Sequence, residues 1–95
     1  MSMKSLVYRN HAVKRMFERG IGNEDVRHVL ATGEVIENYP DDTPYPSRLI
    51  MGWRNSRPLH IVVAENSVEQ SIIVITVYEP DPKLWDDDYR RRRKS

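Results

Sequence analysis

Three residues near the start of the chain, His11, Arg15 and Arg19, recur at steps of four. On an α-helix a step of four advances only about 40° beyond a full turn, so the three side chains share one slanting stripe. Two like charges stacked this way cost an isolated helix roughly 0.2–0.5 kcal/mol. In return the stripe offers cations beside an imidazole. Arginine grips phosphate oxygens through a planar fork, and histidine titrates near neutrality and suits either side of a proton transfer. His11 falls one residue after Asn10, a good helix cap, where free amides attract anions. The same face also reads as a solvated one, opposite Val13, Met16 and Phe17, with Lys14 and Glu18 able to pair.

A second set lies in the later half. His60 sits in the strand-like run LHIVVAE, where it shares a face with Val62 and Ala64. A histidine inside an apolar strand needs a partner or a path to water. Tyr78 ends the run IIVITVY and shares a face with Thr76, Val74 and Ile72. If the two strands pair with these faces aligned, His60 lies beside Tyr78 or Thr76. Its alternative is a core histidine bonded to Thr76 or to a backbone carbonyl. Arg48 and Arg54 flank another predicted strand, and Tyr45 sits in the loop before it. An aromatic ring near arginines can stack on an unpaired base. His28 falls between apolar positions of a second predicted helix and reads as structural or solvated.

Histidine, arginine and tyrosine without metal ligands are what metal-free RNA cleavage requires. A base takes the proton of the 2′-hydroxyl, an acid protonates the leaving 5′-oxygen, and a cation stabilises charge on the phosphoryl oxygens. Other chemistries lack their residues. There is no cysteine, which excludes a disulfide framework, a thiolate zinc site and a cysteine nucleophile, and fits a reducing compartment. No Gly-rich phosphate loop and no G-x-S-x-G elbow occur, and the histidines are not at close metal-ligand spacing. No metal and no cofactor are therefore expected.

These residues must be positioned by one domain, since 95 residues suffice for one and not two. Hydrophobic residues make up 39% and charged residues 31%, with a net charge of only +1, so total charge gives no argument for nucleic acid. No run has the length of a signal peptide or a membrane span, and a cytoplasmic protein is expected. Ala12, Val13, Met16 and Phe17 predict one helix, ended by Gly20, and Val26, Val29 and Leu30 predict a second, capped by Asn23 and ended by Gly33. The period then changes to two. Strands are predicted over 35–39, 48–54, 59–65 and 71–78, with a proline-rich loop at 40–47, and a short strand or docking segment at 6–8. Leu84 and Trp85 are expected to pack back onto the domain, which spans 1–85. Residues 86–95 form a charged tail, expected to be flexible, whose arginines could meet phosphates.

Several motifs occur together: H-A-x-x-R-M-x-E-R-G-I, V-x-x-V-L-A-T-G-E-V-I-E, Y-P-x-R-L, R-P-L-H-I-V-V and I-I-V-I-T-V-Y-E-P-D. Over residues 8–85 the chain resembles a bacterial family of small domains of unknown function, the DUF4258-type proteins, whose members are compared with RelE, ParE and MqsR toxins. The matching positions are His11, Arg15, Arg19, Gly33, Glu34, Tyr45, Pro46, His60, Thr76, Tyr78 and Pro80. The resemblance implies a toxin-like α+β fold, possible RNA cleavage and an antitoxin protein as partner.

The resulting expectation is an α+β domain of the RelE/ParE kind. Two helices pack on one face of a four-stranded, mainly antiparallel sheet, burying Val13, Met16, Phe17, Val26, Val29, Leu30, Ile61, Val63, Ile73 and Ile75. The expected activity is metal-independent endoribonuclease, on RNA, ribosome-associated mRNA included. His11, Arg15, His60 and Tyr78 would be catalytic, with the first three converging in one cleft. Arg19, Tyr45, Arg48 and Arg54 would bind nucleic acid. The alternative is a non-catalytic module that binds nucleic acid or protein through the basic face of the first helix.

Overall fold

A computed structural model describes residues 5–94; residues 1–4 and 95, assigned to the domain and the tail by the sequence, lie outside the described residues. The order is β1 (Ser5–Tyr8), α1 (Asn10–Arg19), α2 (Asn23–Thr32), β2 (Glu34–Tyr39), β3 (Ser47–Arg54), β4 (Arg57–Asn66) and β5 (Ser71–Tyr78). The strands form one five-stranded sheet in the order β1-β5-β4-β3-β2. This corrects the expected four-stranded sheet. From β2 to β5 the chain is an antiparallel meander, but β1 adds a fifth strand parallel to β5. Parallel pairing needs a long connection, and the two helices and the meander supply it. At four residues, SLVY is too short for its period to stand out.

Beyond Tyr8 the pairing with β5 ends, and α1 takes over that edge. The amide of Arg9 donates to the Val74 carbonyl at 3.0 Å. At the far end Arg57, paired with Glu79 just after β5, donates to the carbonyls of Arg19 and Gly20. The helix thus follows the second half of β5. Gly20 ends it in the left-handed conformation, φ 65°. The capping expectations shift by one residue. Arg9 and Gly22 occupy the cap positions. Asn23 instead accepts from the Tyr8 hydroxyl, and the Asp25 carboxylate takes the Gly22 amide at 2.8 Å.

Between helices and sheet lies a core of Ala12, Ile21, Val26, Val29, Ile50, Leu59, Ile61, Val63, Val74 and Val77, with Leu6, Met16 and Leu30 packed against it. Val13 is 51% and Phe17 89% exposed, against expectation. Because α1 lies along an edge, its buried stripe is narrow and is taken by Ala12 and Met16. At its end α2 meets the sheet closely. A Cβ on Gly33 would stand 2.6 Å from the Met51 carbonyl oxygen and 2.7 Å from that of Val29.

A bulge in β5 sets what each face carries. Val62 pairs with Thr76 and Val63 with Val74, so Ile75 is the extra residue. Val74 and Val77 therefore face the helices, while Ile73, Thr76 and Tyr78 face the other way. Leu49, Met51, His60, Ala64 and Ile73 are buried on that second face. The C-terminal segment covers this face at His60 and Trp53. Trp85 bridges to Arg92, the Asp86 amide donates to the Arg91 carbonyl at 2.8 Å, and Arg93 returns the bond to Leu84 at 2.9 Å. The resulting strap is turned at Tyr89, φ 60°. Trp85 is buried, Tyr89 meets Trp53 edge-on at 5.9 Å, and Arg90 pairs with Glu34. Among the described residues no helix is long and apolar enough to cross a membrane.

Candidate functional site

Where α1 replaces β1, a cleft of about 430 Å³ opens between the helix and the strap. Arg15 and Arg19 line it from α1, Thr76 and Tyr78 from β5, and Leu84, Trp85 and Arg92 from the strap, with Glu79 and Asp81 completing its lining. The step-of-four spacing makes this wall: both arginines leave the helix on the side that looks past the sheet edge to its second face.

The cleft is cationic. Arg15, Arg19 and Arg92 make no ion pair with any described residue. The two acids nearby are engaged. Glu79 pairs with Arg57 at 2.6 Å, and the Asp81 carboxylate accepts from the Lys83 amide at 2.9 Å. Arg92 lies 5.0 Å above the Trp85 ring, a cation–π arrangement that holds its guanidinium at the cleft wall.

Behind Tyr78 sits His60, its cross-strand partner. His60 is fully buried, at 0% exposure. Its Nε2 lies 2.7 Å from the Tyr89 carbonyl oxygen, which can only accept, so Nε2 carries the hydrogen. Nδ1 is then an acceptor, and the Tyr78 hydroxyl donates to it at 3.2 Å. The imidazole is boxed edge-on by Trp85 at 4.5 Å and Tyr78 at 5.2 Å. Burial pushes the His60 pKa below its ordinary value, opposed by the bond to Tyr89 and aided by Arg92. Burial raises that of Tyr78. At neutral pH the pair is thus a neutral imidazole and a protonated phenol. Its direction is set, since the phenol's hydrogen points inward and an oxygen lone pair is left for the cleft.

The expected site residues divide. Arg15, Arg19 and Tyr78 share the cleft. His60 does not enter it and stands one hydrogen bond behind. His11 is exposed and lines a separate shallow hollow of about 310 Å³ with Lys14, Arg15 and Glu18. Arg15 is the wall between the two, and the expected convergence of His11 with His60 does not occur. The other residues lie elsewhere. Asn66 donates to the Tyr45 hydroxyl at 3.0 Å, Arg48 stands 3.6 Å from Glu65, and Arg54 donates to Asp25 at 2.8 Å. Arg54 thereby ties β3 to the start of α2. Trp85 and Arg92 join the cleft without having been named for it. The signal available was a tryptophan inside a charged run, which has to find cover.

A family model described as "Domain of unknown function (DUF4258)" matches residues 8–79, and the chain belongs to that family. No curated protein and no solved structure matches it.

Proposed function

We propose that this DUF4258 domain binds single-stranded RNA in the Arg15–Arg19–Arg92 cleft and cleaves it without a metal ion. The observation that carries this reading is the inward hydrogen bond from Tyr78 to His60 at the floor of a cationic cleft. A 2′-hydroxyl donating to the Tyr78 oxygen would pass its proton there as the phenol passes its own to His60 Nδ1. The 2′-oxygen then forms a bond to phosphorus, and the 5′-oxygen leaves with its electron pair and takes a proton from water. The products are a 2′,3′-cyclic phosphate and a 5′-hydroxyl, and the hydroxide left from that water recovers the proton from the imidazolium through Tyr78. Arg15 and Arg19 stabilise the charge on the phosphoryl oxygens. The toxin-like role, the kinship to RelE, ParE and MqsR, and an antitoxin as partner are part of this proposal and rest on the motif resemblance.

A second reading is favoured by the burial of His60. Both of its nitrogens are satisfied inside the protein, so it needs no catalytic task to explain it. On that reading the cleft binds phosphates and does no chemistry. Incubation of purified protein with single-stranded RNA and with DNA of the same sequence, in EDTA, separates the two. Cleavage of RNA alone, with 2′,3′-cyclic phosphate ends, supports the enzyme. Salt-sensitive binding of both with neither cut supports the binding module.

A further inference from the structure

On the other side of the strap a second hollow of about 440 Å³ is lined by Ile36, Glu37 and Tyr39 from β2 and by Trp85 and the arginines 90–92 from the strap. It shares Trp85 and Arg92 with the cationic cleft, so the two hollows form one trough divided by a ridge. Strand register explains the lining. Glu37 is paired with Leu49 and Tyr39 with Ser47, which puts both on the strap face of β2. Although arginines line the same hollow, Glu37 makes no ion pair or side-chain hydrogen bond with any described residue. A carboxylate without an ionic partner among the described residues, a half-buried aromatic ring and an aliphatic side chain thus meet beside the cationic cleft.

We infer that this second hollow is a nucleobase subsite selective for guanine. Unpaired bases are held by stacking on aromatic rings and by hydrogen bonds to the Watson–Crick edge. Tyr39 supplies the ring and Ile36 an apolar surface. Glu37 supplies a pair of acceptors. Guanine alone presents two adjacent donors on that edge, the N1 hydrogen and the 2-amino group, and a carboxylate matches them in a bidentate pair. Adenine and cytosine set an acceptor beside their donor and leave one carboxylate oxygen facing a lone pair. Uracil has one donor between two acceptors. Arg92, on the ridge, is placed for the phosphate joined to the bound nucleoside.

The inference rests on the phosphate reading of the first cleft, and the test keeps the two apart. The four ribonucleoside 3′-monophosphates and inorganic phosphate are titrated into the whole protein, with binding followed by calorimetry and by amide chemical shifts. Guanosine 3′-monophosphate should bind roughly tenfold or more tighter than the other three, the usual worth of a bidentate base contact. Glu37→Gln, at an exposed position, replaces one of the two acceptors with a donor and should erase the guanosine preference with phosphate binding unchanged. Four equal affinities, or a guanosine preference that survives Glu37→Gln, overturn the base subsite alone. Failure of phosphate and of all four nucleotides to bind overturns the phosphate cleft together with it.

Discussion

Tyr78 donates to Nδ1 of His60 across 3.2 Å while the imidazole itself is closed to solvent. One phenol therefore connects a cleft with three arginines that have no ion-pair partner among the described residues to a buried imidazole. The arrangement depends on the C-terminal strap, because the Tyr89 carbonyl fixes the tautomer that leaves Nδ1 free to accept.

Tyr78→Phe removes the hydroxyl and leaves Nδ1 of His60 buried without a donor. The expected cost is about 1–3 kcal/mol of stability, read from urea unfolding at neutral pH. Phosphate-dependent RNA binding should persist, since Arg15 and Arg19 are untouched.

His60 should make folding sensitive to mild acid. In the unfolded chain its imidazole takes up a proton around pH 6.5, whereas burial holds the folded pKa lower. Below that pH the unfolded state binds more protons, so stability is full above about pH 6.5 and is lost as pH falls toward the folded pKa. The urea midpoint should drop between pH 7 and pH 5, and His60→Gln should flatten that drop. NMR titration of the imidazole carbons should report a pKa below the ordinary value.

Arg54→Ala should weaken the fold and leave RNA alone. Its partner Asp25 has a pKa held down first by the Gly22 amide and then by Arg54. The ion pair is partly screened, so a loss of about 0.5–1 kcal/mol is expected, seen as a lower thermal midpoint with unchanged RNA affinity. Because the Asp25 pKa is depressed, its stabilising effect is present at neutral pH and is lost as pH falls through the folded pKa.

Arg15→Ala should act oppositely, with stability near that of the parent and RNA affinity reduced. Removing one phosphate contact from a single-stranded complex lowers the slope of log affinity against log salt by about 0.7. Anisotropy titrations across a salt series read this directly. His11→Ala, outside the cleft, should change the slope less than Arg15→Ala does.

Much of this arrangement could be read along the chain. The period of two located the four meander strands, and pleat alternation offered Tyr78 or Thr76 as the neighbour of His60, between which the register selects Tyr78. The stripe of Arg15 and Arg19 followed from helical spacing alone. Three features escaped. The chain offers a short strand or docking segment at 6–8 but not its place in the sheet, because its pairing with β5 depends on contacts some 66 residues away in the register Ser5↔Ser71. The apolar periodicity of α1 offered Val13 and Phe17 as readily as Ala12 and Met16, and only the helix's place at the sheet edge decides between them. In residues 86–94 charge dominates the composition. What holds them is Trp85 packed edge-on against His60 and Tyr89 against Trp53, rings that belong to distant strands.

The most direct test is single-turnover cleavage of a single-stranded RNA in EDTA, with enough protein to bind all of it, comparing the parent chain with Tyr78→Phe. Cleavage by the parent should leave 2′,3′-cyclic phosphate ends, and Tyr78→Phe should be roughly 10²–10⁴-fold slower, the usual worth of a general base, with the bound fraction unchanged. RNA that stays intact while bound to the parent, or equal rates in the two proteins, would contradict a cleft whose chemistry runs through Tyr78 to His60.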